Sequence, residues 1–128
     1  VVGDLKTVTI LIVDDDSDIR NLLMIDFRKK GFRILMSEGG HAAYEILKHE
    51  SVDVLITDVK MPDGDGIELL ERTKALGPDG PAVILLTAFS DLSASDALAR
   101  GADAVFPKPF DRKALMVTIL EMIERRAE

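Results

Sequence analysis

The stretch Val54-Leu55-Ile56-Thr57-Asp58-Val59-Lys60-Met61-Pro62-Asp63-Gly64-Asp65-Gly66 decides how this chain is read. A short, mostly apolar and β-branched run stops at an acid and then turns, which is the pattern of a buried strand delivering a carboxylate to a loop. Two other stretches end the same way. Val8 to Val13 runs into Asp14-Asp15-Asp16, and Ala82 to Leu86 runs into Thr87-Ala88. In an open parallel α/β sheet the carboxyl ends of the strands share one edge, and ligands bind there. Acids and a hydroxyl from distant stretches are therefore expected to converge.

Between these runs the apolar spacing is helical. Ile19, Leu23 and Phe27, with Leu22 alongside, predict a first helix capped by Asp16, Ser17 or Asp18 and stopped by Gly31; Met24 and Ile25 widen its apolar face and are read as core, with a dimer patch as the lesser alternative. A second strand is expected over Phe32 to Met36, then a helix carrying Ala42, Ala43, Ile46 and Leu47. The third strand is placed at Asp53 to Thr57. Asp65-Gly66-Ile67-Glu68 has capping-box chemistry for a helix running to about Leu76. After the turn Gly77 to Pro81, the fourth strand precedes a helix over Ser93 to Arg100, capped by Ser90 or Asp91. Ala104 to Phe106 is the fifth strand, and Asp111 caps a last helix buried through Leu115, Ile119, Met122 and Ile123. Five β–α units in succession imply a parallel sheet with helices on both faces. The expectation is one doubly wound α/β domain over residues 1–128, with 1–7 as a lead-in; the start at Val1 instead of Met reads as trimmed or excised.

Composition narrows the function. A chain of 128 residues holds one full core. Without cysteine there are no disulfides, no thiolate chemistry and no zinc–cysteine site, which fits a reducing, cytoplasmic compartment. A formal charge of −7 argues against direct nucleic-acid binding by this domain. The longest apolar runs are about strand length, so no membrane insertion is expected.

The strand ends carry the chemistry. Two carboxylates about 4 Å apart repel by roughly 4 kcal/mol at an effective dielectric near 20. A hard divalent cation relieves such repulsion, and Mg2+ typically uses one or two carboxylates, waters and a phosphate oxygen. Lys108, in a loop stiffened by Pro107 and Pro109, adds a fixed cation, and Thr87 adds a hydroxyl. Lysine, hydroxyl and cation around a carboxylate are the parts that hold a transferring phosphoryl group, with the carboxylate as nucleophile.

With these residues in view, the chain resembles the receiver domain of bacterial two-component response regulators, of the chemotaxis-regulator type. The likeness runs from Val8 to about Arg125. It rests on Val13-Asp14-Asp15-Asp16, on Thr57 to Pro62 with Asp65-Gly66, on Leu86-Thr87-Ala88 and on Lys108-Pro109-Phe110. The resemblance implies a flavodoxin-like five-stranded sheet of order 2-1-3-4-5 with five helices, and a cis Lys108–Pro109 bond. It implies that Asp58 is the phosphoacceptor, served by a sensor histidine kinase or phosphotransfer protein. Mg2+ would sit on Asp15 and Asp58, with Asp14 partly through water and the Lys60 backbone carbonyl. Thr87 and Lys108 would contact the phosphoryl oxygens. The protein would then be no enzyme beyond its own phosphorylation and dephosphorylation. Its output would pass from the fourth helix, fifth strand and fifth helix to a downstream protein partner or a removed output domain.

One position departs from the family. Where an aromatic usually stands, three residues before the loop lysine, this chain has Val105, and Phe106 is expected on the opposite face. A smaller or differently built readout is therefore expected. Lys60 and Phe89 each lie two positions after a site residue; Phe89 is expected to shield the acyl phosphate and Lys60 to pair with it, so slow self-dephosphorylation is expected. His41 and His49 carry no partner pattern and read as exposed helix residues. A receiver-like docking module that works without phosphorylation remains the alternative. An aspartate-nucleophile phosphohydrolase is less favoured, because it would leave Asp58 without a role. A dinucleotide fold is least favoured, because no Gly-x-Gly-x-x-Gly follows the first strand.

Overall fold

The computed structural model describes residues 5–88 and 94–127. The strands are β1 (Thr9–Val13), β2 (Arg33–Ser37), β3 (Val54–Asp58), β4 (Ala82–Thr87) and β5 (Ala104–Pro107). They form one parallel sheet of order β2-β1-β3-β4-β5. The helices are α1 (Ser17–Lys30), α2 (Gly40–His49), α3 (Gly66–Lys74), α4 (Ala94–Ala99) and α5 (Arg112–Ala127), and Leu5–Thr7 forms a short 3-10 turn before β1.

The period-2 alternation of strand side chains divides the interior into two layers. Ile10, Ile12, Val54, Ile56, Ile84 and Leu86 meet α1 and α5 through Leu23, Phe27, Leu115 and Ile119. Leu11, Val13, Leu55, Val83 and Leu85 meet α2, α3 and α4 through Ala43, Leu47, Leu69, Leu70 and Ala97. Both faces of β1, β3 and β4 are covered, so these strands read as unbroken apolar runs. The edge strand β2 is half exposed.

Register places the functional edge. Val13 is level with Ser37 and with Thr57, Asp58 pairs with Leu86, and Thr87 with Pro107. Asp14, Asp58, Thr87 and Lys108 therefore leave the sheet side by side. Asp16 caps α1 by accepting from the Asp18 amide, and the left-handed Gly31 (φ 112°) ends it. Asp65 caps α3 by accepting from Glu68 N at 2.8 Å. Asp111 caps α5 through Lys113 N and Ala114 N.

Several expectations need correction. β1 starts at Thr9, not Val8, and β2 lies one residue later than expected. β3 and β4 each extend to include the polar residue at their carboxyl end, because its main chain still pairs with a neighbouring strand. α3 stops at Lys74, two residues early, where Gly77 turns the chain. Ile25 is 48% exposed and Leu22 37%, so the buried arc of α1 is narrower than its apolar sequence; Ala42 also faces solvent. The expected Ser90 or Asp91 cap and the Ser93 start of the fourth helix lie outside the described residues.

Candidate functional site

At the carboxyl edge a lysine sits between two carboxylates. Lys108 Nζ lies 3.2 Å from Asp14 Oδ2 and 3.2 Å from Asp58 Oδ2. The Asp14 side chain is 1% exposed, that of Asp58 10% and that of Lys108 24%. Lys108 is placed by its own backbone: its N–H donates to the Thr87 carbonyl at 2.8 Å, and the Lys108–Pro109 bond is cis.

Asp58 is held at the end of β3 by several bonds. Its Oδ1 accepts from Val59 N at 2.8 Å, and Gly66 N donates to the Val59 carbonyl at 2.8 Å. This brings the start of α3 against the strand end. A side chain at Gly66 would collide with the Asp58 carbonyl oxygen, so only glycine lets the loop 59–65 fold back so tightly. The far side of that loop is bonded to the start of α2, with Gly40 N donating to the Gly64 carbonyl (2.9 Å) and His41 N to the Asp63 carbonyl (3.3 Å).

Asp14 is engaged on every side. Its N–H donates to the Ser37 carbonyl (3.2 Å), its Oδ1 accepts from Asp16 N (2.9 Å), and its Oδ2 faces Lys108. Its backbone carbonyl accepts from Arg20 Nη1 at 2.6 Å. Asp15, next in sequence, is exposed.

Charge shapes the site's protonation. Burial, reinforced by the Asp14 charge, holds the Asp58 carboxyl above its ordinary value, and Lys108 and the Val59 amide only partly oppose this. For Lys108, burial works against the ammonium, but the two carboxylates outweigh it and raise the group above its ordinary value. One carboxylate oxygen each from Asp14, Asp15 and Asp58 lies within 4.8 Å of the others. Three hard oxygens at this separation, with one lysine leaving their repulsion incompletely cancelled, fit a hard divalent cation of the magnesium kind.

The chain matches the response regulator receiver domain model over residues 10–120. It belongs to the response regulator receiver family. This receiver is 34% identical over 115 residues to the response regulator receiver protein CpdR of Brucella abortus (strain 2308), covering 89% of this chain and 95% of that one. It is 39% identical over 103 residues to the sporulation initiation phosphotransferase F of Bacillus subtilis (strain 168), covering 80% and 82%. Against the DNA-binding transcriptional regulator NtrC of Proteus hauseri it is 42% identical over 101 residues, which is 78% of this chain and 21% of that regulator. Some relatives are thus little more than the receiver, while others carry it as a small part of a longer chain. Among solved structures, a response regulator receiver domain protein from Clostridium thermocellum superposes with a TM-score of 0.86 at 32% identity, covering 94% and 97% of the two chains.

Of the receiver residues expected from sequence, Asp14, Asp15, Asp58 and Lys108 come together. Asp16 serves as the α1 cap and stands outside the group of three acids. Thr87 is buried at the end of β4, where its hydroxyl donates to the Ala88 carbonyl at 3.0 Å and is not aimed at Asp58. The Lys60 side chain is exposed, and Phe89 lies outside the described residues. Val105 packs with the α2–α4 layer and Phe106 with the α1–α5 layer, so the two do face opposite ways. His41, expected to be without partners, has Nδ1 3.3 Å from Asp63 Oδ1. The sequence reading missed Arg20. A cation in the first helical turn, where the macrodipole disfavours one, was the available signal.

Proposed function

We propose that this receiver is a phosphorylation-dependent switch whose phosphoacceptor is Asp58. The observation that carries the reading is the placement of Lys108 Nζ at 3.2 Å from both the Asp58 and the Asp14 carboxylates at the carboxyl edge of the sheet. An Asp58 oxygen attacks the donor phosphorus, the phosphorus–nitrogen bond of a phosphohistidine on a sensor kinase or phosphotransfer protein breaks, and an acyl phosphate forms. The imidazole nitrogen keeps the bonding pair. Lys108 turns from the two carboxylates toward the phosphoryl oxygens, and a rotation of the Thr87 hydroxyl from Ala88 gives those oxygens a second donor. Asp14, Asp15, Asp58 and the Lys60 carbonyl would hold Mg2+, which when bound neutralises charge on the phosphoryl group. Asp14, already bonded through both carboxylate oxygens, would assist the ion partly through water.

The added charge, close to two negative units, biases a two-state surface. The readout surface is α4, β5 and α5, recognised by a downstream protein or an output domain on the same polypeptide. The chain works as one receiver unit behind a lead-in of residues 1–7, in the cytoplasm. No described helix is long and apolar enough to cross a membrane. With Val105 short and packed against the α2–α4 layer, the readout proceeds without an inward-swinging ring; amide and aromatic spectra showing Phe106 flipping inward on phosphorylation would sink that part of the reading.

Intact mass after incubation with acetyl phosphate, with and without Mg2+, tests the proposal on wild type and Asp58→Asn. One Mg2+-dependent phosphoryl adduct, absent from the variant, is expected. No adduct with Mg2+ binding intact favours a docking module that works without phosphorylation, while an adduct surviving the substitution moves the nucleophile to another acid.

A further inference from the structure

Arg20 is a charged group at this edge whose chemistry the proposed switch does not use. It belongs to the first turn of α1, where the helix dipole disfavours a cation. Its side chain is nevertheless only 14% exposed. Nη1 donates to the Asp14 carbonyl at 2.6 Å, a charge-assisted contact, and Nη2 lies 3.6 Å from Glu38 Oε1 on the β2–α2 loop.

The Asp14 carbonyl belongs to the peptide unit that carries the Asp15 N–H. Because that unit is planar, fixing its oxygen fixes the orientation of the whole plane. The Asp14 amide is held separately by Ser37 and the Asp14 carboxylate by Asp16 N and Lys108. Arg20 supplies the remaining restraint, and it acts on the bond that leads into Asp15. That plane sets the starting direction of the Asp15 residue, one of whose carboxylate oxygens lies within 4.8 Å of oxygens of Asp14 and Asp58.

We propose that Arg20 is a positioning residue for the divalent cation: it locks the Asp14–Asp15 peptide so that the Asp15 carboxylate is presented to the ion. The inference rests on the cation site proposed above. It has a feature that separates it from simple electrostatics. Arg20 carries a positive charge beside a cation site, so as a charge alone it weakens cation binding, and removing it tightens binding. As a positioning group it strengthens binding, and removing it weakens binding. The two roles have opposite signs.

The test is a Mg2+ titration of the unphosphorylated chain, followed through the amide signals of residues 14–16, for wild type, Arg20→Ala, Arg20→Lys and Asp15→Asn, with metal-free thermal melting beside it. The expected dissociation constant rises about tenfold in Arg20→Ala, the lower end of what loss of a group orienting a metal ligand costs. Arg20→Lys, which keeps the charge and one donor, falls between. Unchanged or tighter Mg2+ binding in Arg20→Ala overturns the proposal, and so does a lower melting temperature with an unchanged dissociation constant, since that is what a merely structural role gives. If Arg20→Ala does not fold, Arg20→Lys decides: weaker binding supports positioning, and equal or tighter binding overturns it. A wild type that binds no Mg2+, or Asp15→Asn binding as wild type does, sinks the cation site itself and is distinguishable from either result.

Discussion

Replacing Lys108 by methionine keeps most of the side-chain volume and removes the charge that two carboxylates share. At 3.2 Å and an effective dielectric near 20, each lysine–carboxylate contact is worth roughly 5 kcal/mol before desolvation, while the two acids, within 4.8 Å, repel by roughly 3 kcal/mol. Breaking a buried charge pair by removing one partner costs about 3–5 kcal/mol. Partial exposure of the lysine, and the freedom of Asp58 to take up a proton, bring the expectation for Lys108→Met down to about 2–3 kcal/mol. That corresponds to a fall in Tm of about 10 °C for a chain of this size. The pH dependence has a definite sign. Burial and the Asp14 charge already hold the Asp58 carboxyl above its ordinary value. A raised carboxyl contributes stability that is present below its unfolded-state value and lost as pH climbs through its folded-state value. Without Lys108 the rise is larger, so the deficit of the variant is full near pH 7 and narrows as acid protonates Asp58. Mg2+ should narrow it too, because a bound cation takes over the role of the missing ammonium. Urea denaturation of both proteins in EDTA, at about pH 7 and about pH 4.5, and again with Mg2+, measures all of this. A deficit that changes with neither pH nor Mg2+, or no deficit at all, would refute the charge-sharing account.

Other consequences can be checked with the same denaturation assay. Gly66→Ala forces a methyl group into the Asp58 carbonyl, so a loss of about 1–3 kcal/mol and weaker Mg2+ binding are expected. Asp16→Ala should be about 1 kcal/mol less stable than Asp16→Asn, which keeps the cap; comparing these two leaves the lost negative charge out of the difference. The hydrogen bonds from Arg112, 2.7 Å from its Nε, hold the Asp26 carboxyl below its ordinary value. Stability from this pair is present above the unfolded-state value and lost as pH falls through the folded-state one. The gap between wild type and Arg112→Ala should therefore close on acidification, and a gap constant with pH would dissociate the shift from the ion pair.

The sheet was legible because burial on both faces writes β1, β3 and β4 as unbroken apolar runs, and a run that halts at Asp14 or Asp58 marks its own end. The opposite facing of Val105 and Phe106 followed from the period of a strand. What stayed hidden depends on directions that a residue string does not contain. Ile25 and Leu22 are as apolar as Leu23, but only the arc of α1 facing the sheet is covered. Thr87 sits at the expected strand end, while its hydroxyl points to Ala88. Asp53, expected to open the third strand, and Asp103 carry no partner signal in sequence, yet their carboxylates accept from Thr9 N (2.8 Å) and Val83 N (2.7 Å), satisfying amides near the starts of β1 and β4. Arg20 has the same character: its partner is a backbone oxygen six residues back, and no pairing of side-chain types announces it.

Asp14 and Lys108 stand 94 residues apart in the chain and meet through one ammonium. During synthesis the acids of β1 and β3 leave the ribosome well before that ammonium exists. A growing polypeptide therefore holds its acids without their ammonium until β5 is added, and the pocket's lysine comes from almost the last part of the sheet to be made. Any truncation ahead of Lys108 should leave a chain that is acid-heavy at this edge, so the pocket cannot gain its ammonium before the last strand of the sheet has been made.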